Sequence, residues 1–477
     1  MGRTAFDAVV IGSGPNGLAA GIAMQLAGLR TLLIEGEETI GGGMRSAALT
    51  LPGFTHDICS AVHPMAAASP FFSRLPLDRH GLEFIHPRYA AGHPFDDGSA
   101  TLLLHSVEEM AASLGSDGED YNRLLGPLVR DWGLIQDAVL GPLRVSSHPL
   151  VMANFGRRAL LSASRFAGKF FHTEKARGFF GGMAAHSMLP FSFLTSAAIG
   201  LTLLIQGHLK GWPLIKGGTQ ELANALGSYF ISLGGEIRTG FRVRSLDQIP
   251  DSRVLLLDLT PRQILRLAGE RLSPFYKAQL NRYRYGMGVF KVDWALDAPI
   301  PFTAPGCREA GTVHLGGSFE EIAAGEQMTF EGRHPEKPFV LLAQPTVIDP
   351  GRAPAGKHTA WAYCHVPPGS DRDMREAIER QVERFAPGFR ERVLSCHTLN
   401  ARQMEQYNPN YVGGDINGGI QDIFQLFTRP ALRLSPYRSS ARGIYICSAS
   451  TPPGGGVHGM CGFHAAKRAM RDIFGIK

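Results

Sequence analysis

Apolar positions at the start of the chain follow two different spacings. Residues 5–11 (AFDAVVI) form a short apolar run rich in Val and Ile, which is typical of a buried parallel strand. Small residues from Leu18 to Ala27 predict a helix, and residues 31–34 (TLLI) predict a second strand that ends at Glu35. A strand, a helix and a strand within about thirty residues predict a βαβ unit.

The rest of the chain shows a long helical region followed by mixed elements. Residues 57–211 are mostly helical in pattern, for example over 106–114 and 121–138. Later segments predict helices over 219–233, from 261 onward, over 374–385 and over 462–474, and strands over 236–246, 253–259, 286–294, 339–343 and 443–447.

Short apolar strands like that of residues 5–11 recur at the beginning, the middle and the end of the chain, which indicates a domain built from separate segments. We predict an α/β fold, with a discontinuous Rossmann-type dinucleotide-binding domain and an inserted substrate domain of mixed sheet and helix. The first domain takes residues 1–56, 212–285 and 437–477. The second takes residues 57–211, its helical part, and 286–436, its part with sheet and helix.

The composition narrows the class of protein. Hydrophobic residues make up 44% and charged residues 19%, the balance of a compact folded protein. The net charge of +6 is spread without a basic run, so we predict no nucleic-acid partner. The six cysteines show neither a C-x-x-C pair nor a zinc spacing, and we predict no metal site. These cysteines, and a chain that enters a strand within a few residues, favour a cytoplasmic protein.

A glycine pattern follows the first predicted strand. Gly12, Gly14 and Gly17 form G-x-G-x-x-G, in which the first glycine allows a tight turn and the second lets the backbone approach a pyrophosphate. The third lets the helix pack against the strand, and the helix N-terminus favours the bound anion. Glu35, at the end of the next strand, is placed to bind a ribose hydroxyl. The turn therefore predicts a dinucleotide site.

Three further segments carry a resemblance to a known family. Residues 39–46 (TIGGGMRS) and the closing stretch from Tyr445 to Gly462 resemble two motifs of phytoene desaturase-like FAD-dependent oxidoreductases. Gly217-Gly218, before a helix, resembles a third motif, and the strand after that helix would bring Val243 to the adenine. Within the family, residues 56–64 (HDICSAVHP) are most similar to the pyridine nucleotide-disulphide oxidoreductase domain-containing protein 2 subgroup.

The resemblance covers nearly the whole chain in order and implies FAD as the cofactor. The sequence departs from the family at Ser448, where many members have Gly, and lacks the hairpin that members usually carry between residues 246 and 254. The FAD-binding residues that the motifs imply are Gly12, Gly14, Pro15, Asn16, Gly17, Glu35, Gly36, Gly41, Gly42, Gly43, Met44, Arg45, Val243, Ser448, Gly455, Gly456, Val457 and His458.

The same resemblance implies an oxidoreductase that desaturates or saturates a carbon–carbon bond of an apolar, isoprenoid or lipid-like substrate. Hydride transfer would run through the flavin, since the cofactor carries the chemistry in such enzymes. A redox-neutral isomerase that uses reduced flavin, and a flavin-bound interaction protein without turnover, stay open as alternatives. No C-x-x-x-x-C pair is present, so disulfide reduction is not expected. The substrate's identity, the electron acceptor and the oligomeric state are not determined by the sequence.

Few side chains qualify as catalytic groups. His458 follows the closing glycine turn and is the first candidate for a direct role, because that turn meets the flavin ring in the resembled family. Other candidates, each with a plain packing or turn interpretation beside it, are His56, His63, Cys59, Asp415, Asn417 and Cys461.

One long stretch lacks charge altogether. Residues 178–209 contain no Asp, Glu, Lys or Arg, a length that could span a membrane. A span is not expected, because it would separate the opening and closing FAD motifs on opposite sides of the bilayer. The stretch is therefore a core element, the wall of an apolar substrate pocket that includes Phe179, Phe180, Phe191 and Phe193, or a surface in peripheral membrane contact.

Overall fold

The computed structural model of the protein describes residues 5–476. Residues 1–4 and 477, which the predicted domain segments include, lie outside the described residues. The strands are, in chain order, β1 (Phe6–Ile11), β2 (Thr31–Ile34), β3 (Ser46–Ala47), β4 (His56–Asp57), β5 (Phe84–Ile85), β6 (Tyr89–Pro94), β7 (Ala100–Leu102), β8 (Leu214–Ile215), β9 (Glu236–Arg238), β10 (Ser252–Leu257), β11 (Gly288–Leu296), β12 (Ala310–Leu315), β13 (Val340–Ala343), β14 (His358–Val366), β15 (Val393–Leu399) and β16 (Ile444–Ile446).

The α-helices lie mainly in the first half of the chain. They are, in chain order, α1 (Pro15–Leu26), α2 (Pro64–Ala67), α3 (Val107–Ser113), α4 (Gly118–Arg130), α5 (Trp132–Val139), α6 (Pro149–Ala159), α7 (Ala163–Phe170), α8 (Glu174–Ala185), α9 (Ser196–Lys210), α10 (Gln220–Ser232), α11 (Pro261–Ala268), α12 (Pro274–Asn281), α13 (Phe319–Phe330), α14 (Arg375–Phe385), α15 (Ala401–Tyr407), α16 (Ile423–Leu426) and α17 (Met460–Ala469).

A five-stranded parallel sheet forms the first layer. Its order is β16-β10-β1-β2-β9, with every neighbouring pair parallel. Both faces are covered, which explains why β1, β2 and β10 are mostly apolar. Since the strands are parallel, their carboxyl ends share one edge, and polar or glycine residues follow them there: Gly12, Glu35 and Asp258.

Helices from distant segments cover this sheet. α1 packs against both α10 and α17. A Cβ added at Gly462 would lie 1.8 Å from the Asn16 carbonyl oxygen, so the closing helix can approach α1 only because residue 462 is glycine. The beginning and the end of the chain therefore meet at the start of α1.

A seven-stranded sheet forms the second layer, in the order β15-β11-β14-β13-β12-β6-β7. Its pairs are antiparallel except for the parallel pair of β12 and β6. The predicted strands at 286–294 and 339–343 are confirmed as β11 and β13. The predicted α/β class with two different sheets is likewise confirmed.

The uncharged stretch 178–209 forms most of α8 and α9, which pack against each other. Phe179, Phe180 and Phe191 are buried in the core of the helical layer, and Phe180 stacks on Phe166 with ring centroids 4.5 Å apart. Phe193 is half-buried and meets Phe330 edge-on. Among the described residues, no helix is both long enough and apolar enough to cross a membrane.

The structure corrects three local expectations. Residues 121–138 form two helices rather than one, because the helix breaks at Asp131, between the end of α4 at Arg130 and the start of α5 at Trp132. The strand expected over 236–246 ends at Arg238, because Gly240 adopts a φ of +65° and turns the chain. The helical region 57–211 also contains β5, which pairs with the distant β8, and β6 and β7, which form a hairpin whose β6 strand pairs with the distant β12.

Candidate cofactor and substrate site

A cleft of about 620 Å³ lies at the carboxyl edge of the parallel sheet and continues to the second sheet. Ile11, Ile34 and Asp258, at the ends of β1, β2 and β10, line one part of it. The carboxyl edge is where open parallel sheets bind ligands, and the volume is in the usual range for such pockets.

The glycine turn forms the floor of this part of the cleft. Gly12 and Gly14 line the cleft, and α1 begins at Pro15 directly beside it. Gly17 does not line the cleft. Its role is packing, since an added Cβ would lie 2.0 Å from the Gly12 carbonyl oxygen. The helix N-terminus supplies positive potential where a phosphate would lie.

Asp258 is a member of this site that the motif search missed. Its Oδ2 accepts a hydrogen bond from the Gly17 N–H at 3.0 Å, and an added Cβ at Gly14 would come within 2.7 Å of the same oxygen. Burial, with a smaller effect from the Glu35 carboxylate, raises the pKa of Asp258 to about 7. Partial protonation of Asp258 at neutral pH reduces its repulsion of a bound phosphate. Its position directly after a buried strand, like that of Glu35, was the available signal.

Glu35 is held by its own neighbours as well as facing the cleft. Its Oε2 accepts from the Ser13 N–H at 3.0 Å and from the Ser13 hydroxyl, and its Oε1 lies 3.3 Å from Arg45 Nη2. Arg45 also donates to the Thr39 carbonyl oxygen and stacks over the Tyr407 ring. Arg45 therefore lies beside the predicted ribose acid.

The Gly41–Arg45 segment closes over the glycine turn. An added Cβ at Gly42 would lie 3.0 Å from the Gly14 Cα, and one at Gly43 would lie 2.4 Å from the Tyr411 hydroxyl. Gly42, Gly43 and Arg45 line the cleft, whereas Gly41 does not and Met44 is fully buried in the core. Tyr407, at the end of α15 in the predicted second domain, donates to the Gly42 carbonyl oxygen at 3.1 Å, a contact that no motif indicated.

Residues from the middle and the end of the chain complete the walls. Val243 lines the cleft with Phe241, and it does so from the irregular segment after Gly240 rather than from a strand. The predicted cofactor residues that line the cleft are Gly12, Gly14, Pro15, Asn16, Glu35, Gly36, Gly42, Gly43, Arg45, Val243, Ser448, Gly456 and Val457.

Comparison with known proteins likewise indicates a dinucleotide-binding oxidoreductase. The NAD(P)-binding Rossmann-like domain family matches residues 10–75. The chain is 24% identical to pyridine nucleotide-disulfide oxidoreductase domain-containing protein 2 of Rattus norvegicus, over 98% of this chain and 94% of that protein. It is 25% identical to phytoene desaturase (lycopene-forming) of Pseudescherichia vulneris, over 95% and 96%. It is 22% identical to one of the limonene dehydrogenase subunits of Castellaniella defragrans, over 98% and 95%.

Homologues of the chain therefore include pyridine nucleotide-disulfide oxidoreductase domain-containing protein 2 and phytoene desaturases, and the chain is an FAD-dependent oxidoreductase. A solved structure of an oxidoreductase from Methanosarcina mazei has the same fold, with a TM-score of 0.66 at 16% identity over 97% of this chain and 99% of that one.

The cofactor of this FAD-dependent oxidoreductase is FAD, and the cleft fits it. Gly12, Gly14 and the start of α1 would hold the pyrophosphate, and Glu35 the ribose. Asn16 lines the cleft, and its buried Oδ1 has no hydrogen-bond partner among the described residues, as expected where a ligand completes the site. The glycine turn with Gly456 and Val457 would lie at the flavin ring.

His458 lies behind this turn rather than in the cleft. It is 1% exposed, its Nδ1 accepts from the Met460 N–H at 3.0 Å, and burial lowers its pKa to about 4. Gly455 is likewise outside the cleft lining, with an added Cβ 2.9 Å from the Asn417 carbonyl oxygen. This geometry assigns His458 to supporting the turn, and a direct catalytic role for it stays a prediction without a contact to support it.

The other candidates divide between the cleft and the core. Cys59, His63 and Asn417 line the cleft. His56 is buried beside Asp293, and Asp415 accepts backbone N–H bonds from Gly286, Asn417 and Gly419, which is a turn-forming role. Burial raises the pKa of Cys461 to about 11, so this thiol stays protonated at neutral pH.

The far end of the cleft lies against the second sheet and α9. Leu203, Trp212, Leu341 and Trp361 line it, with Tyr363 stacked on Trp361 at a ring separation of 5.7 Å. We call this part the distal chamber. Of the uncharged stretch 178–209, His186 and Leu203 line the chamber, whereas Phe179, Phe180, Phe191 and Phe193 do not. Of the three interpretations of this stretch, the pocket wall is therefore not supported for these four rings, and Phe179, Phe180 and Phe191 belong to the core of the helical layer.

Proposed function

We propose that the protein desaturates or saturates a carbon–carbon bond of an apolar, isoprenoid or lipid-like molecule held in the distal chamber. The observation that carries this proposal is the separation of charge along the cleft. The lining residues that carry formal charge are Glu35, Glu37, Arg45, Arg242, Arg244, Asp258 and Arg266. All of them belong to the segments predicted as the cofactor domain.

The distal chamber offers an uncharged surface instead. Its wall residues are Leu203, Trp212, Thr312, Leu341, Trp361 and Tyr363. Burial lowers the pKa of His186, at its edge, to about 3, so this side chain is neutral at physiological pH. Charged substrates would lose hydration in such a chamber without gaining a partner, whereas apolar substrates gain from burial.

The side chains of the protein would bind and orient the substrate and exclude water, while FAD supplies a hydride acceptor or donor. Removing a hydride from one carbon and a proton from its neighbour forms the double bond, and the reverse addition saturates it. The described geometry assigns the proton to no side chain.

An anaerobic substrate panel tests the proposal. FAD-loaded protein is mixed with terpene and polyene hydrocarbons, and we expect at least one to bleach the oxidised flavin and yield a product lighter by two hydrogen atoms. A product of unchanged mass would indicate the isomerase alternative. If no apolar compound changes the flavin spectrum, in either redox state, the proposal is wrong and the interaction protein is favoured.

A matched pair of variants locates the substrate. Leu203→Gln places an amide in the chamber wall, and we expect about 10- to 100-fold weaker binding of the substrate with FAD retained, because the side chain loses its apolar contact. Leu194→Gln is the control, since Leu194 is 50% exposed and lies outside the cleft lining. Equal effects of the two changes would contradict a substrate site at the chamber.

A further inference from the structure

A pair of histidines forms the one polar contact at the edge of the distal chamber that joins α8 to the second sheet in the described chain. His186 directly follows α8 and lines the chamber, and His314 lies fully buried on β12. Their Nε2 atoms are 2.9 Å apart, a hydrogen bond between two imidazole rings. Trp212 and Phe339 pack around the pair, with Trp212 meeting His186 edge-on at 5.6 Å.

Both rings are neutral. Burial lowers the pKa of His186 to about 3 and that of His314 well below its usual range. Each neutral imidazole carries one N–H, and one of the two N–H groups is used in the bond between the rings. The position of the other N–H depends on which ring donates.

The surroundings of His314 decide between the two arrangements. Its Nδ1 is buried, has no partner among the described residues, and faces Gly182 of α8, where an added Cβ would lie 2.7 Å away. A bare nitrogen is tolerated there better than an unpaired N–H, because a buried donor without a partner loses its full hydration. His314 therefore carries its proton on Nε2 and donates it to His186.

His186 must then carry its own proton on Nδ1. This atom has no hydrogen bond to any group of residues 5–476, and His186 is half-buried and lines the cleft. We propose that His186 is a specificity-determining residue, whose Nδ1–H donates a hydrogen bond to a carbonyl oxygen of the substrate in the distal chamber, with His314 as the positioning residue that fixes this tautomer.

The chemistry of the chamber favours a neutral oxygen over a carboxylate. No lysine or arginine lines the chamber wall in the described chain, since the lining cations all lie at the cofactor end. Lys291, which approaches the Trp361 ring, is itself buried against Asp293. An anion would lack a counter-charge, whereas a carbonyl oxygen needs only a donor. This inference rests on the proposed function and narrows its substrate class to apolar carbonyl compounds.

Limonene and carvone are suitable probes, because they share a carbon skeleton and differ by the carbonyl group. Equilibrium dialysis against FAD-loaded protein gives a Kd for each, and the readout is the ratio of limonene Kd to carvone Kd. We expect this ratio to fall about tenfold in the double variant His186→Leu/His314→Leu, because the substrate loses one hydrogen bond. Leucine is close to histidine in volume and leaves no unpaired hydrogen-bonding partner, so the melting temperature and FAD content should stay near those of the wild type.

Leu203→Met is the control, since it changes the shape of the same wall without its polarity, and its ratio should match that of the wild type. A ratio that is the same in the wild type and the double variant overturns the inference and leaves the proposed function standing. If neither compound nor any other apolar compound binds the FAD-loaded wild type, the proposed function is wrong and the inference falls with it.

Discussion

At the scale of single residues, two glycines of the opening turn face different obstacles. An added Cβ at Gly17 would meet the backbone oxygen of Gly12 at 2.0 Å, whereas one at Gly14 would meet a side-chain oxygen of Asp258 at 2.7 Å. We expect Gly17→Ala to lower the free energy of unfolding by at least about 1–3 kcal/mol, and Gly14→Ala by less, since a side chain can move. Urea unfolding measures both.

Gly133→Ala is the control for this pair. Gly133 lies in α5 with no atom within 4 Å of an added Cβ, so alanine should be neutral or slightly stabilising there. If Gly14→Ala and Gly17→Ala lower the free energy of unfolding equally, close packing of α1 against β1 is not the role of Gly17.

Asp258 gives a pH prediction. Its pKa rises from 3.8 to about 7 on folding, chiefly through burial. Between about pH 4 and pH 7 the unfolded chain ionises while the folded chain keeps the proton, so this group destabilises the fold increasingly as pH rises, and its effect levels off above about pH 7. The melting temperature of the wild type minus that of Asp258→Asn should therefore fall across this range. A difference that rises or stays flat would contradict the buried, protonated Asp258.

At the scale of elements, α8 and α9 contribute side chains both to the core of the helical layer and to the distal chamber. Phe180→Ala removes a fully buried ring stacked on Phe166, and we expect a loss of about 3–5 kcal/mol in the free energy of unfolding. Phe193→Ala should cost much less, because Phe193 is half-buried. Neither residue lines the cleft, so folded protein of both variants should keep FAD and its ligand affinity. If folded Phe193→Ala binds the ligand more weakly, Phe193 contributes to the wall of the substrate pocket after all.

The elements also show what local pattern can and cannot predict. β1, the glycine turn and Glu35 were predictable because strand, turn and acid follow one another within the chain. Asp258 reaches the turn from β10, Tyr407 reaches Gly42 from α15, and His186 meets His314 from β12. These contacts depend on long-range pairing, which leaves no spacing in a single sequence. The prediction of a strand over 236–246 was wrong for a different reason. Gly240 has a positive φ and turns the chain, although apolar and polar residues alternate through this segment.

At the scale of the whole molecule, the two sheets differ in kind. The first is parallel with a glycine turn at its carboxyl edge, whereas the second is mostly antiparallel, which does not suit a nicotinamide dinucleotide. We therefore expect NADH and NADPH to reduce the flavin slowly or not at all in anaerobic mixing. Rapid, saturable bleaching at micromolar nicotinamide would contradict this prediction.

Segments from the beginning, the middle and the end of the chain meet around one cleft and together would bind FAD. The cofactor that the protein releases on heating tests this most directly. Purified protein is heated, and the flavin in the supernatant is identified and quantified by chromatography. The described cleft predicts FAD at close to one molecule per chain, because turn, ribose acid and closing glycine motif all line it. Colourless protein that takes up no added FAD, or protein that releases FMN instead, would contradict it.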